Sequence, residues 1–257
     1  MTSTVSGIVV NYKTKELTAS AVESMLDEPD LTDVVVVDNC SLDGSVEFLR
    51  SRLPEDRVRV VANDRNSGFG GGVNVGAGHS TGSFMLVLNS DATLERGSLA
   101  LLVRALDAES ATAIAAPVIV GPDGSPQIDA FGDFPSFRRM LLRTNRRPRD
   151  EPRPDWVSGA AMLVRRCAFE QVGGFDVAFH MYLEDVDLCS RLRSMGWEIL
   201  RVRESKVRHS PGTSSTGHER EESYHESLML LLDKRKVPRF EISLIGAAHR
   251  LWSSARR

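Results

Sequence analysis

Apolar positions along the first 110 residues fall into two alternating patterns, short β-branched runs and longer stretches with helical spacing. Residues 7–11 predict a strand, after which Leu17, Val22, Met25 and Leu26 recur at helix-like intervals. Residues 34–37 are consecutive valines between polar neighbours, the mark of a strand buried on both faces of a parallel sheet. A helix over 45–53, a strand over 58–62, a turn and helix through 73–78 and a strand over 84–88 continue the series. This β-α-β-α-β-α-β order predicts an α/β fold built on a doubly wound, mostly parallel, nucleotide-binding sheet.

Beyond a helix at 98–108 the pattern loosens. A strand is expected over 113–120, then a turn at Gly121-Pro122-Asp123-Gly124, where proline and glycine supply the required dihedrals. Residues 133–155, rich in arginine and proline, read as a loop. A single strand over 156–164, a short helix over 167–172 closed by Gly173 and Gly174, a helix over 185–195, a strand over 197–202 and a helix over 219–232 complete the chain. The expected division is one principal domain over 1–215, with a regular half to about residue 110 and a looser half from 111, followed by a helical extension over 216–257.

Composition narrows the class without setting it. At 257 residues and 41% hydrophobic, the chain supports one principal core. A formal net charge of -3 offers no broad positive surface, so no nucleic-acid partner is expected. Cys40, Cys167 and Cys189 fit neither a disulfide framework nor paired zinc-ligand spacing and read as reduced thiols. The opening residues run into a strand pattern instead of a leader, and no apolar run nears the ~20 residues of a membrane helix. The expected location is cytoplasmic, free or at the inner face of the cell membrane.

In an open parallel sheet, ligands bind beyond the carboxyl ends of the strands. Asp38 follows the valine run, as an exposed carboxylate able to accept hydrogen bonds from a base or ribose, or as turn chemistry. Asn66-Ser67-Gly68-Phe69-Gly70-Gly71-Gly72-Val73-Asn74 either lets backbone approach a phosphate or base closely or is a flexible loop. Asn89-Ser90-Asp91 puts a carboxylate where a divalent cation bridging two phosphates would sit, and Asp91 is equally able to cap the turn. Glu184-Asp185-Val186-Asp187 opens a helix, where acidic residues favour the dipole or serve as a general base.

Together and in order these segments resemble family 2 glycosyltransferases, particularly bacterial rhamnosyltransferase-like members. The resemblance also takes in Ile8-Val9-Val10-Asn11-Tyr12, the stretch from Trp156 to Met162, and Tyr182-Leu183-Glu184-Asp185-Val186-Asp187-Leu188. It implies a glycosyltransferase A fold and an inverting, metal-dependent transfer of a sugar from a nucleotide-diphosphate donor to a hydroxyl. Asn11, Asp38, Asn66, Gly68, Asn74, Asn89 and Asp91 would line the donor, with Asp38 matching the family's base-contacting aspartate. Asp91 matches the last residue of the family's DxD motif, and Asn89 replaces the first. His209 resembles a further metal ligand of some relatives, completing with Asp91 a site for Mg2+ or Mn2+, and a loop histidine is its alternative. Asp185 matches the catalytic base, with Glu184 a lesser candidate beside it, while Trp156, Gly159 and Ala160 shape the acceptor side.

The implied donor is TDP-L-rhamnose and the implied acceptor a saccharide or lipid-linked saccharide in cell-envelope or polysaccharide synthesis. A UDP-sugar donor, a sugar-nucleotide nucleotidyltransferase and an inactive carbohydrate-binding relative are the alternatives. Arg138, Arg139, Arg143, Arg146, Arg147 and Arg149 surround Met140-Leu141-Leu142, which reads as peripheral membrane contact, a lipid-diphosphate site or solvated loop charge. The basic, apolar tail over 240–257 reads as membrane contact or a packed terminal helix.

Overall fold

The computed structural model describes residues 3–54, 56–134, 151–210 and 217–242. Its first half follows the expected alternation: β1 (Val5–Asn11), α1 (Lys15–Leu26), β2 (Leu31–Asp38), α2 (Ser45–Arg52), β3 (Val58–Ala62), α3 (Gly68–Gly78) and β4 (Phe84–Asn89). Then come β5 (Ala92–Leu94), α4 (Ser98–Ala108), β6 (Thr112–Val120), β7 (Phe131–Gly132), β8 (Trp156–Val157), β9 (Ala161–Arg165), α5 (Arg166–Gln171), α6 (Glu184–Ser194), β10 (Glu198–His209) and α7 (Gly217–Lys234).

Eight strands form one sheet in the order β3-β2-β1-β4-β9-β6-β10-β5, and β7 pairs with β8 separately. The pairs β1/β2, β2/β3, β1/β4 and β6/β10 are parallel, whereas β9 runs antiparallel to β4 and β6, and β5 antiparallel to β10. The fold is therefore α/β with a mostly parallel sheet.

Period-2 alternation explains why the strand runs are apolar throughout. Val34 and Val36 of β2 and Phe84, Leu86 and Leu88 of β4 enter one core with Val22, Met25, Leu49, Leu99 and Leu102. Met85 and Val87 point to the other core, with Ile8, Val73, Phe169, Phe175, Leu188 and Leu192. Leu17, counted in the helical pattern, is instead exposed on α1. A third cluster packs Leu228, Leu231 and Leu232 of α7 against Phe179, Leu183 and Val186.

Three expectations are corrected. The helix expected over 73–78 begins at Gly68, which removes the flexible-loop alternative for the glycine-rich stretch, because its glycines let α3 lie almost on the strands. A Cβ at Gly72 would stand 2.7 Å from Val10, one at Gly76 2.5 Å from Ile8, and one at Gly70 2.8 Å from Phe175. The single strand expected over 156–164 is two, β8 and β9, with residues 158–160 free to turn toward α6. The strand expected over 197–202 extends to His209, because pairing with β6 resumes after a register shift between Val202 and Lys206. The arginine cluster at 138–149 and the tail beyond residue 242 lie outside the described residues.

Candidate active site

The carboxyl ends of β1, β2 and β4 meet at one edge, where register pairs Asn11 with Asp38 and Val10 with Asn89. Asn11 Nδ2 donates to Asp38 Oδ1 at 2.6 Å, and its Oδ1 accepts from Thr18 at 2.8 Å. Ser41 adds two donors to Asp38, from its hydroxyl at 2.6 Å and its backbone N–H at 3.0 Å. The expectation of an exposed Asp38 is thus corrected: its carboxylate is buried, and these donors offset the cost of burial.

Asn39, unremarked on its own in the sequence, organises the next loop. Its Nδ2 donates to Asn66 Oδ1 (2.9 Å) and the Gly68 carbonyl (3.0 Å), while its Oδ1 accepts from Asn63 and Ser67. Gly68 has φ +74, and a Cβ there would lie 2.1 Å from the His180 carbonyl oxygen, so the start of α3 is pressed against the segment that precedes α6. Asn74 does not reach this edge. Both ends of its amide are committed to the Phe175 backbone, at 2.8 and 2.9 Å, which makes it a tie between α3 and the loop after α5.

Asp91 sits between β4 and β5, and antiparallel pairing of β5 with β10 sets His209 opposite Ala92. His209 Nε2 is 3.2 Å from Asp91 Oδ1, and the Ser210 N–H donates to the Asp91 carbonyl at 3.2 Å. Gln127, which the sequence did not single out, holds the imidazole from behind: its Nε2 donates to the His209 carbonyl at 2.9 Å, and its Oε1 is 3.1 Å from Nδ1. One carboxylate and one imidazole nitrogen facing each other suit a divalent cation. Among the described residues no third His, Cys, Asp or Glu joins them, so phosphate oxygens and water would complete such an ion's shell.

Asp185 lies in the first turn of α6, behind Tyr182 (φ 69) and Leu183 (φ 64). Two successive left-handed residues with side chains cost about 1–3 kcal/mol each, and such strain gathers where a site demands it. The turn aims Asp185 Oδ2 at the Gly159 N–H (2.8 Å), while Oδ1 accepts from Val186 (2.8 Å). A Cβ at Gly159 would stand 2.9 Å from the Phe69 ring and 3.6 Å from Asp185 Cβ, so a side chain here would press on Phe69 while the approach to Asp185 is ordinary contact. The neighbouring Ala160 carbonyl accepts from the Asn89 N–H at 2.9 Å, which joins the end of β4 to α6 through two residues. Trp156 stands further out, its Nε1 donating to the Asp133 carbonyl.

The paired acids differ in environment. Glu184 is buried, and its Oε2 has no hydrogen-bond partner among the described residues. Burial and then the Asp185 charge push its carboxyl up to about 8, so at neutral pH it is largely protonated. Burial also raises Asp185, but the Gly159 and Val186 N–H groups favour its ionised form. These two donors favour charge on Asp185 over Glu184, while burial holds its carboxyl above the ordinary aspartate range.

A mostly parallel sheet with polar strand ends, an Asn-Ser-Asp segment at the end of β4 and a carboxylate fixed in the first turn of α6 define a glycosyltransferase A architecture. The family model for glycosyl transferase family 2 matches residues 6–173, and the chain belongs to that family. It is 33% identical, over 79% of its length and 75% of the relative's, to the N-acetylglucosaminyl-diphospho-decaprenol L-rhamnosyltransferase of Mycobacterium tuberculosis. The fold is shared with the mannosyltransferase PcManGT from Pyrobaculum calidifontis in complex with GDP-Man and Mn2+ (TM-score 0.68, 18% identity, 97% of this chain and 70% of that one). It is also shared with GalNAc-T7 with UDP, GalNAc and Mn2+ (TM-score 0.66, 17% identity), where the match covers 90% of this chain and 48% of the other. Among the described residues no helix is long and apolar enough to cross a membrane.

Proposed function

We propose that this chain is an inverting rhamnosyltransferase that moves L-rhamnose from TDP-L-rhamnose to a hydroxyl of a saccharide or lipid-linked saccharide in cell-envelope synthesis. The observation that carries the reaction type is Asp185, a raised carboxylate held by two backbone N–H groups and linked through Gly159 and Ala160 to the end of the donor strand. The donor and the lipid-linked acceptor rest on the identity to the mycobacterial L-rhamnosyltransferase.

In this reading the acceptor oxygen attacks the anomeric carbon as its bond to the diphosphate oxygen breaks. Asp185 takes the hydroxyl proton, and the nucleoside diphosphate leaves from the opposite face. One displacement inverts the anomeric centre, so one essential carboxylate suffices there. A Mg2+ or Mn2+ ion held by Asp91 and His209 would offset the charge of the departing diphosphate. The Asn11–Asp38–Ser41 and Asn39–Asn66 networks shape the edge that receives the nucleotide, Asp38 acting through the loop it holds. A lipid-linked acceptor supports work at a membrane surface, which this reading places at the inner face of the cell membrane.

The test is transfer to an N-acetylglucosaminyl-diphospho-lipid with TDP-L-rhamnose, UDP-glucose and UDP-N-acetylglucosamine compared as donors, the anomeric configuration of the product read by NMR. Rhamnose transfer with inversion is expected. Preference for a UDP-sugar would overturn the donor assignment, and retention of configuration would overturn the role of Asp185.

A further inference from the structure

We infer that Gln127 is a positioning residue that sets the tautomer of His209, leaving Nε2 as a lone pair beside Asp91 for a divalent cation. The inference deepens the reading of Asp91 and His209 as cation ligands and rests on it.

The argument starts from what a primary amide can do. Gln127 Nε2 lies 2.9 Å from the His209 carbonyl oxygen, which only accepts, so the amide nitrogen must occupy that end. The same amide's oxygen is then the atom 3.1 Å from His209 Nδ1, and an amide oxygen only accepts. Nδ1 must therefore carry the hydrogen. In the neutral ring this strips Nε2 of its proton and turns a lone pair toward Asp91 Oδ1, 3.2 Å away. Two acceptors face each other, an arrangement that a shared cation resolves. A histidine whose other nitrogen donates to an oxygen is the usual outer-shell device for orienting an imidazole ligand.

The fold holds Gln127 firmly enough for the task. Its backbone N–H donates to the Ile119 carbonyl at 2.8 Å, and the turn before it is closed by the Gly121 N–H to the Ser125 carbonyl at 2.8 Å and by the pairing of Val120 with Pro126. The end of β6 thus doubles back to present one amide to the end of β10. The side-chain hydrogen bonds of Gln127 go to His209, so in this reading it acts on the cation through that residue.

The test uses the full chain and two readouts besides activity. In 15N spectra of histidine-labelled, metal-free protein at about pH 8, where an ordinary imidazole is neutral, the His209 signal is assigned by its loss in His209→Asn. It should show Nδ1 protonated in wild type and in Gln127→Glu, which keeps an oxygen toward Nδ1, and a mixture of tautomers in Gln127→Leu. Mn2+ binding measured by electron paramagnetic resonance with TDP present should weaken about 10- to 100-fold in Gln127→Leu, the usual effect of removing an outer-shell partner, and should recover in Gln127→Glu. Wild-type binding that Asp91→Asn abolishes but Gln127→Leu leaves unchanged would overturn the role of Gln127 alone. A metal-free wild type whose Nε2 carries the proton would likewise overturn the role of Gln127 alone, and a wild type that binds no Mn2+ would overturn it together with the cation site.

Discussion

At the scale of single residues, neighbouring carboxylates are separated by a few hydrogen bonds. Asp185 has two N–H donors and Glu184 has an Oε2 with none among the described residues, so the shared burial raises both while the donors favour charge on Asp185. Asp185→Asn should leave donor affinity, measured by calorimetry, within a few fold while transfer falls by about 10²- to 10⁴-fold, the usual cost of losing a general base. Transfer at the wild-type rate would remove Asp185 from the mechanism. Glu184 gives a prediction in stability. Its folded value, about 8, lies above the ordinary 4.5, so its contribution is fully present below the ordinary value and lost as pH rises through about 8. The melting temperature of wild type should therefore fall between about pH 5 and pH 8 more than that of Glu184→Gln, which cannot ionise. Equal falls would show that Glu184 is not held neutral by the fold.

At the scale of elements, α3 and α4 are placed by opposite means. Helix α4 begins at Gly97, which has no side chain to cap it, and Glu28 reaches across to accept from the Gly97 and Leu99 N–H groups. Arg165 closes the other end, donating to the Leu106, Glu109 and Thr112 carbonyls. Helix α3 is placed by what it lacks, since its glycines bring its axis close to β1. Gly72→Ala would force a methyl group 2.7 Å from Val10, the residue next to Asn11. The expected cost is about 1–3 kcal/mol of overpacking, seen as a lower urea midpoint, together with weaker nucleotide binding as Asn11 shifts. Unchanged stability would mean that α3 has slack the packing does not show. Helix propensity alone favours alanine over glycine, so a gain in stability would be the sharpest refutation.

At the scale of the whole molecule, residues far apart in sequence meet at the carboxyl ends of the strands, and basic segments largely outside the described residues bear on where the protein works. Six arginines lie between 138 and 149, and the last 18 residues add further basic and apolar positions. If they meet an anionic surface that carries a lipid-linked acceptor, the protein should sediment with anionic vesicles and be released as salt rises, since the Debye length shrinks from about 10 Å at 0.1 M to about 3 Å at 1 M. Absence of binding at low salt would reject surface attachment.

The sequence by itself determined the alternation of strands and helices through β4, because period-2 and helical spacing are local properties of a chain whose sheet is covered on both faces. It also determined which acidic and amide residues stand at strand ends, since those positions follow directly from where each apolar run stops. Chain folding alone decided the rest. The antiparallel β5/β10 pairing joins Asp91 to His209, and the break between β8 and β9 brings Gly159 to Asp185. The doubling back after β6 supplies Gln127, a residue with no local signal at all. Asp38 was legible as a strand-end carboxylate but not as a buried one, because its burial depends on Asn11 arriving from β1 as well as on Ser41, three residues further along its own loop. Hydrogen bonds across such separations depend on the geometry of the whole sheet, which no window of neighbouring residues contains.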